Sequence, residues 1–193
     1  MAQLPSLRCL HLCLDNVLLG DRTCAALSCL ANLNGVTDFD VSIRHNQVTW
    51  LGISHLCQLG NAARLSTLRL AFCGNLVGDI GVGTLSTLRW RSTGLRHLCV
   101  EAADAGIGDA GIRNLSFVAH APNLRTLRLQ LMDNTITDTG AMELCSVLSE
   151  APTSSVLNSL EVDLTGTACS SLMLHHLGAS VSALGFHKSL ILG

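Results

Sequence analysis

Apolar residues recur along this chain in one repeated pattern. It is clearest from Leu124 to Leu148, LRTLRLQLMDNTITDTGAMELCSVL. Leu124, Leu127, Leu129 and Leu131 open the stretch, and the alternation at its centre predicts a short strand with one buried face. A turn follows at Asn134, and Ile136 points inward. Asp138-Thr-Gly140 then precedes Leu144, Val147 and Leu148, which stand at helical spacing. The stretch therefore predicts one strand, one turn and one helix.

Imperfect copies fill the rest of the chain. Their first apolar anchors are Leu7, Val36, Leu65, Leu95, Leu124 and Leu157, at intervals of 29, 29, 30, 29 and 33 residues. A near-constant period of this length marks a solenoid, whose units bury their apolar faces only against their neighbours. In each strand the third, fifth and seventh positions, with the anchor counted as one, point away from the core. These rows include Asp38, His11, Asp40, Arg69, Arg128, Glu161, Glu101, Gln130 and Asp163.

Two polar positions recur for structural reasons. Asn16, Asn46, Asn75 and Asn134 are expected at the turn, where a short amide can satisfy backbone groups that leave the strand ladder. Ala105 and Thr167 stand there in the fourth and sixth units, which predicts looser turns. Asp79, Asp109 and Asp138 precede the helical apolar residues and are expected to cap those helices. Gly81, Gly111 and Gly140 follow each by two positions, which suggests close packing between units. Trp50 takes the aspartate's place in the second unit, so an irregular helix start is expected there.

This pattern resembles the leucine-rich repeat proteins, specifically the ribonuclease-inhibitor-like class with a helix in every repeat. The resemblance covers nearly the whole chain and is weakest in the sixth unit. It implies an α/β horseshoe of six repeats in a single domain, with a parallel sheet on the concave side and helices on the convex side. It also implies a protein-interaction module that binds another protein through its concave face. The class also contains activators of the Ran GTPase, so a GTPase-activating protein is an alternative, and a structural scaffold segment is another. The chain begins six residues before the first anchor, and Phe186 to Gly193 reads as the start of a further strand. Solenoids need polar caps, so the sequence reads as a fragment of a longer one.

Composition narrows the function. Charged residues are 13% of the 193, against about 25% in an average domain. That suggests that part of the surface is covered. The net charge of -2 leaves no footprint for nucleic acid. Aromatics are only 3%, as an aliphatic ladder requires. Nine cysteines without a shared spacing read as reduced thiols in a cytoplasmic protein, not as a disulfide framework. No stretch suits a membrane span or a signal peptide.

The chemistry-bearing motifs have plainer explanations. Gly106-Ile-Gly108-Asp-Ala-Gly111 matches a dinucleotide fingerprint, with Asp133 near the place of a ribose ligand. The repeat accounts for both, because Gly78-Asp-Ile-Gly81 and Thr137-Asp-Thr-Gly140 occupy the same place in their units. Cys9, His11 and Cys13 share one strand face, but an extended strand spreads them over roughly 13 Å, too far for one zinc ion. His175-His176 reads as a partly exposed helical pair. Asn114-Leu-Ser116 is a formal sequon set on a helix. No nucleophile or metalloprotease motif occurs. The sequence therefore predicts no enzyme activity, no metal, no cofactor and no small-molecule substrate.

Overall fold

A computed structural model describes residues 7–88, 94–115, 121–149, 156–183 and 187–191, the last five by backbone alone. Strands and helices alternate as the repeat predicts. They are β1 (Cys9–Cys13), α1 (Asp21–Leu27), β2 (Asp38–Ser42), α2 (Trp50–Leu56), β3 (Thr67–Ala71), α3 (Gly78–Thr84), β4 (His97–Glu101), α4 (Asp109–Arg113), β5 (Thr126–Gln130), α5 (Asp138–Ser149), β6 (Ser159–Asp163), α6 (Ser171–Ala183) and β7 (His187–Ile191). Short 3-10 turns extend the first three helices.

The strands form one open, all-parallel sheet in chain order, β1 to β7. Each helix packs against the helices before and after it. β7 confirms the further strand expected near the end of the chain. Phe186, Ser116 and the side chains of Val147 and Leu148 lie outside the described residues.

Register turns the apolar period into a core. Phe39, Leu68, Leu98, Leu127 and Leu160 stand side by side across β2 to β6, each at most 1% exposed. Val41, Leu70, Val100, Leu129 and Val162 form a second buried row. Helix residues such as Ile53, Val82, Ile112 and Leu144 complete a single cluster. Burial of a large aliphatic side chain contributes about 1.5–3 kcal/mol, so these rows are the main stabilising element. β1 is the exception, because its leucines are only half-buried beside an open edge.

The turns after the strands share one backbone device. Asn16, His45, Gly74, Asp104, Asp133 and Gly166 all adopt left-handed φ, between 49° and 72°. The next position holds Asn46, Asn75 and Asn134, each buried. Asn134 Oδ1 accepts from the amides of Ala105 and Ile107, and Nδ2 donates to the carbonyls of Ala102, Leu131 and Met132. Asn46 and Asn75 repeat this, each satisfying its own turn and that of the preceding unit.

Asn16 does not belong to this row. It stands one residue early, at the left-handed position, and exposed Val17 occupies the asparagine site. Asparagine suits the left-handed position because its short polar side chain tolerates it. Nor do the turns lacking asparagine take another shape. Asp104 and Gly166 keep the left-handed φ, and Ala105 is fully buried.

Candidate functional site

The sheet face turned away from the core carries the predicted polar rows. His11, Asp40, Arg69, Cys99, Arg128 and Glu161 stand in register across β1 to β6. Strand period alone fixes this placement. The flanking row runs Cys13, Ser42, Ala71, Glu101, Gln130 and Asp163, and the third position adds Asp38 and His97.

Most of the charges on this face neutralise one another. Glu101 is the hub. Arg69 Nε donates to its Oε1 at 2.7 Å, and Arg44 Nη2 donates to its Oε2. Arg69 Nη1 also reaches Asp40 Oδ2 at 3.1 Å, and His11 Nδ1 lies 2.8 Å from the same oxygen. At the other end Arg44 meets Asp15 at 3.3 Å. Asp15 also accepts from the Ser42 hydroxyl and the Arg44 amide. Farther along, Arg128 pairs separately with Glu161 at 2.7 Å. The adjacent-strand pairs Asp40–Arg69 and Arg128–Glu161 are those expected from the sequence.

The seventh row is not freely presented, however. Glu101 and Asp163 are 7% and 6% exposed. Arg44 and Arg69 cover Glu101, and the Thr165 amide and hydroxyl both donate to Asp163 Oδ1. Burial pushes the Glu101 carboxyl upward, but the hydrogen bonds and charges of the two arginines outweigh it, and the group titrates below its ordinary range. Asp15 follows the same balance, with Ser42 and Arg44 prevailing over burial. Asp38 is also lowered, chiefly by the hydroxyls of Thr37 and Thr67. Gln130 is half-buried.

Period-based reasoning missed Asp15 and Arg44. They lie just beyond the strands, where alternation no longer says which way a side chain points. A signal was available, because both occupy the ninth position of their units.

The helix-start aspartates play a different part from the one expected. They do not cap their own helices. Asp109 Oδ1 accepts from the Thr137 amide of the next unit at 2.8 Å, and Oδ2 accepts from its hydroxyl. Asp79 receives Gly108 in the same way, and Asp138 receives Ser170. Asp21 belongs to the row too, receiving Thr49 and Gly52. The carboxylate sits in the first turn of its own helix, where it suits the helix dipole, but its oxygens reach the neighbour's unpaired amides. A Cβ on Gly140 would lie 2.4 Å from Asp109 Oδ1, and one on Gly111 2.7 Å from Asp79 Oδ1. Those glycines leave room for the preceding unit's carboxylate.

Trp50 breaks this row, and its effect falls one unit downstream. Its own helix α2 starts regularly, with Thr49 accepting from the Leu51 amide. The irregular start is α3, which begins at Gly78 in a left-handed conformation without a side-chain cap. The Gly78 amide turns instead to the Ala105 carbonyl. The Trp50 side chain is half-exposed.

The chemistry-bearing motifs fall into the same framework. The Gly108 amide, at the end of Gly106-Ile-Gly108 where a phosphate would bind, donates instead to Asp79 Oδ1. Asp133 is a left-handed turn residue. Cys9 lies beside Asp38, His11 beside Asp40 and Cys13 beside Asp15, so each polar group faces a different carboxylate. Among the described residues no His, Cys, Asp and Glu side chains gather as a metal-holding group. His175 and His176 are exposed on α6. All nine cysteines are free thiols. Burial pushes Cys24 up to about 11 and Cys57 up to about 12, which leaves them packed and unreactive. Among the described residues no helix is long and apolar enough to cross a membrane.

No protein-family model matches this chain, and no curated protein matches it.

Proposed function

We propose that the chain is a leucine-rich repeat solenoid of the ribonuclease-inhibitor-like kind, and that it works as a protein-interaction module. The observation that carries this reading is the strand order. Seven parallel strands follow chain order with no reversal. A doubly wound nucleotide-binding sheet instead places its ligand where the order reverses. Stacked repeats leave one sheet face to solvent, and solenoids use such a surface for binding. On that face His11, Asp38, Asp40, Arg69, Glu101, Arg128, Gln130, Glu161 and Asp163 would meet a protein partner. The pairs His11–Asp40 and Arg128–Glu161 are the more accessible elements, while Glu101 and Asp163 set the shape beneath them. The reading needs no catalysis and no cofactor. Nine free thiols favour a reducing, cytoplasmic setting.

The test is a charge exchange on the accessible pair. Arg128→Glu reverses one half, and Arg69→Gln removes the second arginine without setting a like charge against Glu101. With the fold checked by circular dichroism, a partner recovered by pull-down should bind more weakly and with a smaller salt dependence. Unchanged affinity and salt dependence would move the binding surface to the loops or the helices.

A further inference from the structure

The arginines of this molecule divide into two sets. Among the described residues Arg44, Arg69, Arg113 and Arg128 form ion pairs. Arg8, Arg22, Arg64, Arg96 and Arg125 form none, and all five are exposed. Four of these five stand on one side. Arg8, Arg96 and Arg125 immediately precede β1, β4 and β5, and Arg64 lies in the loop before β3. Because the strands are parallel, all four line the rim where strands begin. Asp15, Asp104 and Asp133 lie instead on the rim where strands end.

Arg96 and Arg125 are immediate neighbours. The Arg125 amide donates to the Arg96 carbonyl at 2.8 Å, so the two side chains leave adjacent strands at the same register. Like charges placed this way oppose each other unless a counter-charge joins them. Helix dipoles do not account for the rim, because the helix ends on this side close on their own 3-10 carbonyls, as at Leu30, Leu59 and Leu85. Among the described residues Arg8 alone donates to such a region, at the Gly35 carbonyl.

We infer that the arginine rim where the strands begin is a docking site for an acidic polypeptide segment. This rests on the reading of the chain as a protein-interaction module and adds a second contact surface with a stated chemistry. The rim spans four inter-strand gaps from β1 to β5, roughly 19 Å, which an extended segment of about six residues covers. Guanidinium groups take carboxylates in bidentate pairs, so alternate acidic residues suit the row. A nucleic acid suits it less. Single-stranded nucleic acids bind where aromatic side chains stack on their bases, and among the described residues the aromatics Phe39, Trp50 and Phe72 all lie away from this rim.

The test uses a fluorescein-labelled peptide of about ten alternating Glu and Ser residues, long enough to cover the rim at about 3.3 Å per residue. Fluorescence anisotropy should show binding that weakens as the salt rises from about 0.01 to 0.15 M, where the screening length falls from about 30 to 8 Å. Arg96→Glu with Arg125→Glu should weaken it about tenfold or more, and Arg96→Gln with Arg125→Gln by less. Arg22→Glu on α1 reverses a single exposed arginine away from the rim and should leave binding unchanged. Equal binding of a Gln and Ser peptide, or equal weakening by Arg22→Glu, would overturn the inference. Tighter binding of a single-stranded oligonucleotide of equal charge would overturn it in favour of nucleic acid. The peptide needs no native partner, so its failure leaves the charge-exchange test on the sheet face to stand or fall separately.

Discussion

Asn134 commits its whole side-chain amide to the backbone, with two amides donating to its oxygen and three carbonyls accepting from its nitrogen. Its replacement by alanine leaves those buried groups unpaired, at about 1–3 kcal/mol for one such group. Asn134→Ala should therefore lower the denaturant midpoint markedly. Asn16→Ala should cost less, roughly the 1–2 kcal/mol of a left-handed alanine. Equal losses would mean that the buried amide contributes nothing beyond turn conformation. Glu101 supplies a pH test. Its folded carboxyl titrates below its ordinary value of 4.5. That stabilisation is complete above the ordinary value and is lost as the pH falls through the folded one. Acid titration of stability should show the slope below about pH 4.5 flattened by Glu101→Gln, which should also be less stable at pH 7.

At the level of the helix, the decisive contacts join neighbours. Thr137 at the start of α5 is held by Asp109, and Gly140 is small because that carboxylate stands over it. Gly140→Ala should destabilise the wild type strongly. The same change in an Asp109→Ala background should cost less, and a double-mutant cycle reads the difference. Helix α3 offers the opposite experiment, since Trp50 leaves its start without a carboxylate. Trp50→Asp should restore the missing contact and raise stability by about 0.5–2 kcal/mol, as a gained cap does. No gain in unfolding free energy would show that Gly78 is already satisfied by Ala105. The sequence made the strands, the outward rows and the glycine spacing legible, because period and register are properties of the chain alone. It also showed that Asp79, Asp109 and Asp138 belong at helix starts. Which helix each would serve depended on how closely one unit lies on the next, and no single repeat carries that distance. The same limit hid Arg44, whose reach to Glu101 passes over an intervening strand.

Across the whole molecule the first unit is less covered than the units behind it. The leucines of β1 are half-buried and Val17 is 53% exposed, whereas Leu68 and Leu70 of β3 are closed and Asn75, at Val17's place in the third unit, is buried. A polar repeat fused ahead of β1 should cover them, raise the unfolding midpoint and improve solubility. An unchanged midpoint would mean that the first unit carries no share of the cooperative stability. The hydrogen bonds between units also bear on how such a chain can change in length. Each asparagine reaches back one unit and each aspartate reaches forward one, always across a near-constant interval. Excising residues 46–74, one interval of 29, would join His45 to Asn75, the same left-handed residue followed by the same amide. Asp21 would then face Gly78 and Gly81, and the row broken at Trp50 would close. Removing one residue fewer would misalign every later contact. Gain or loss of whole intervals is thus the change this molecule tolerates best, so its natural variation in size should come in steps of one repeat.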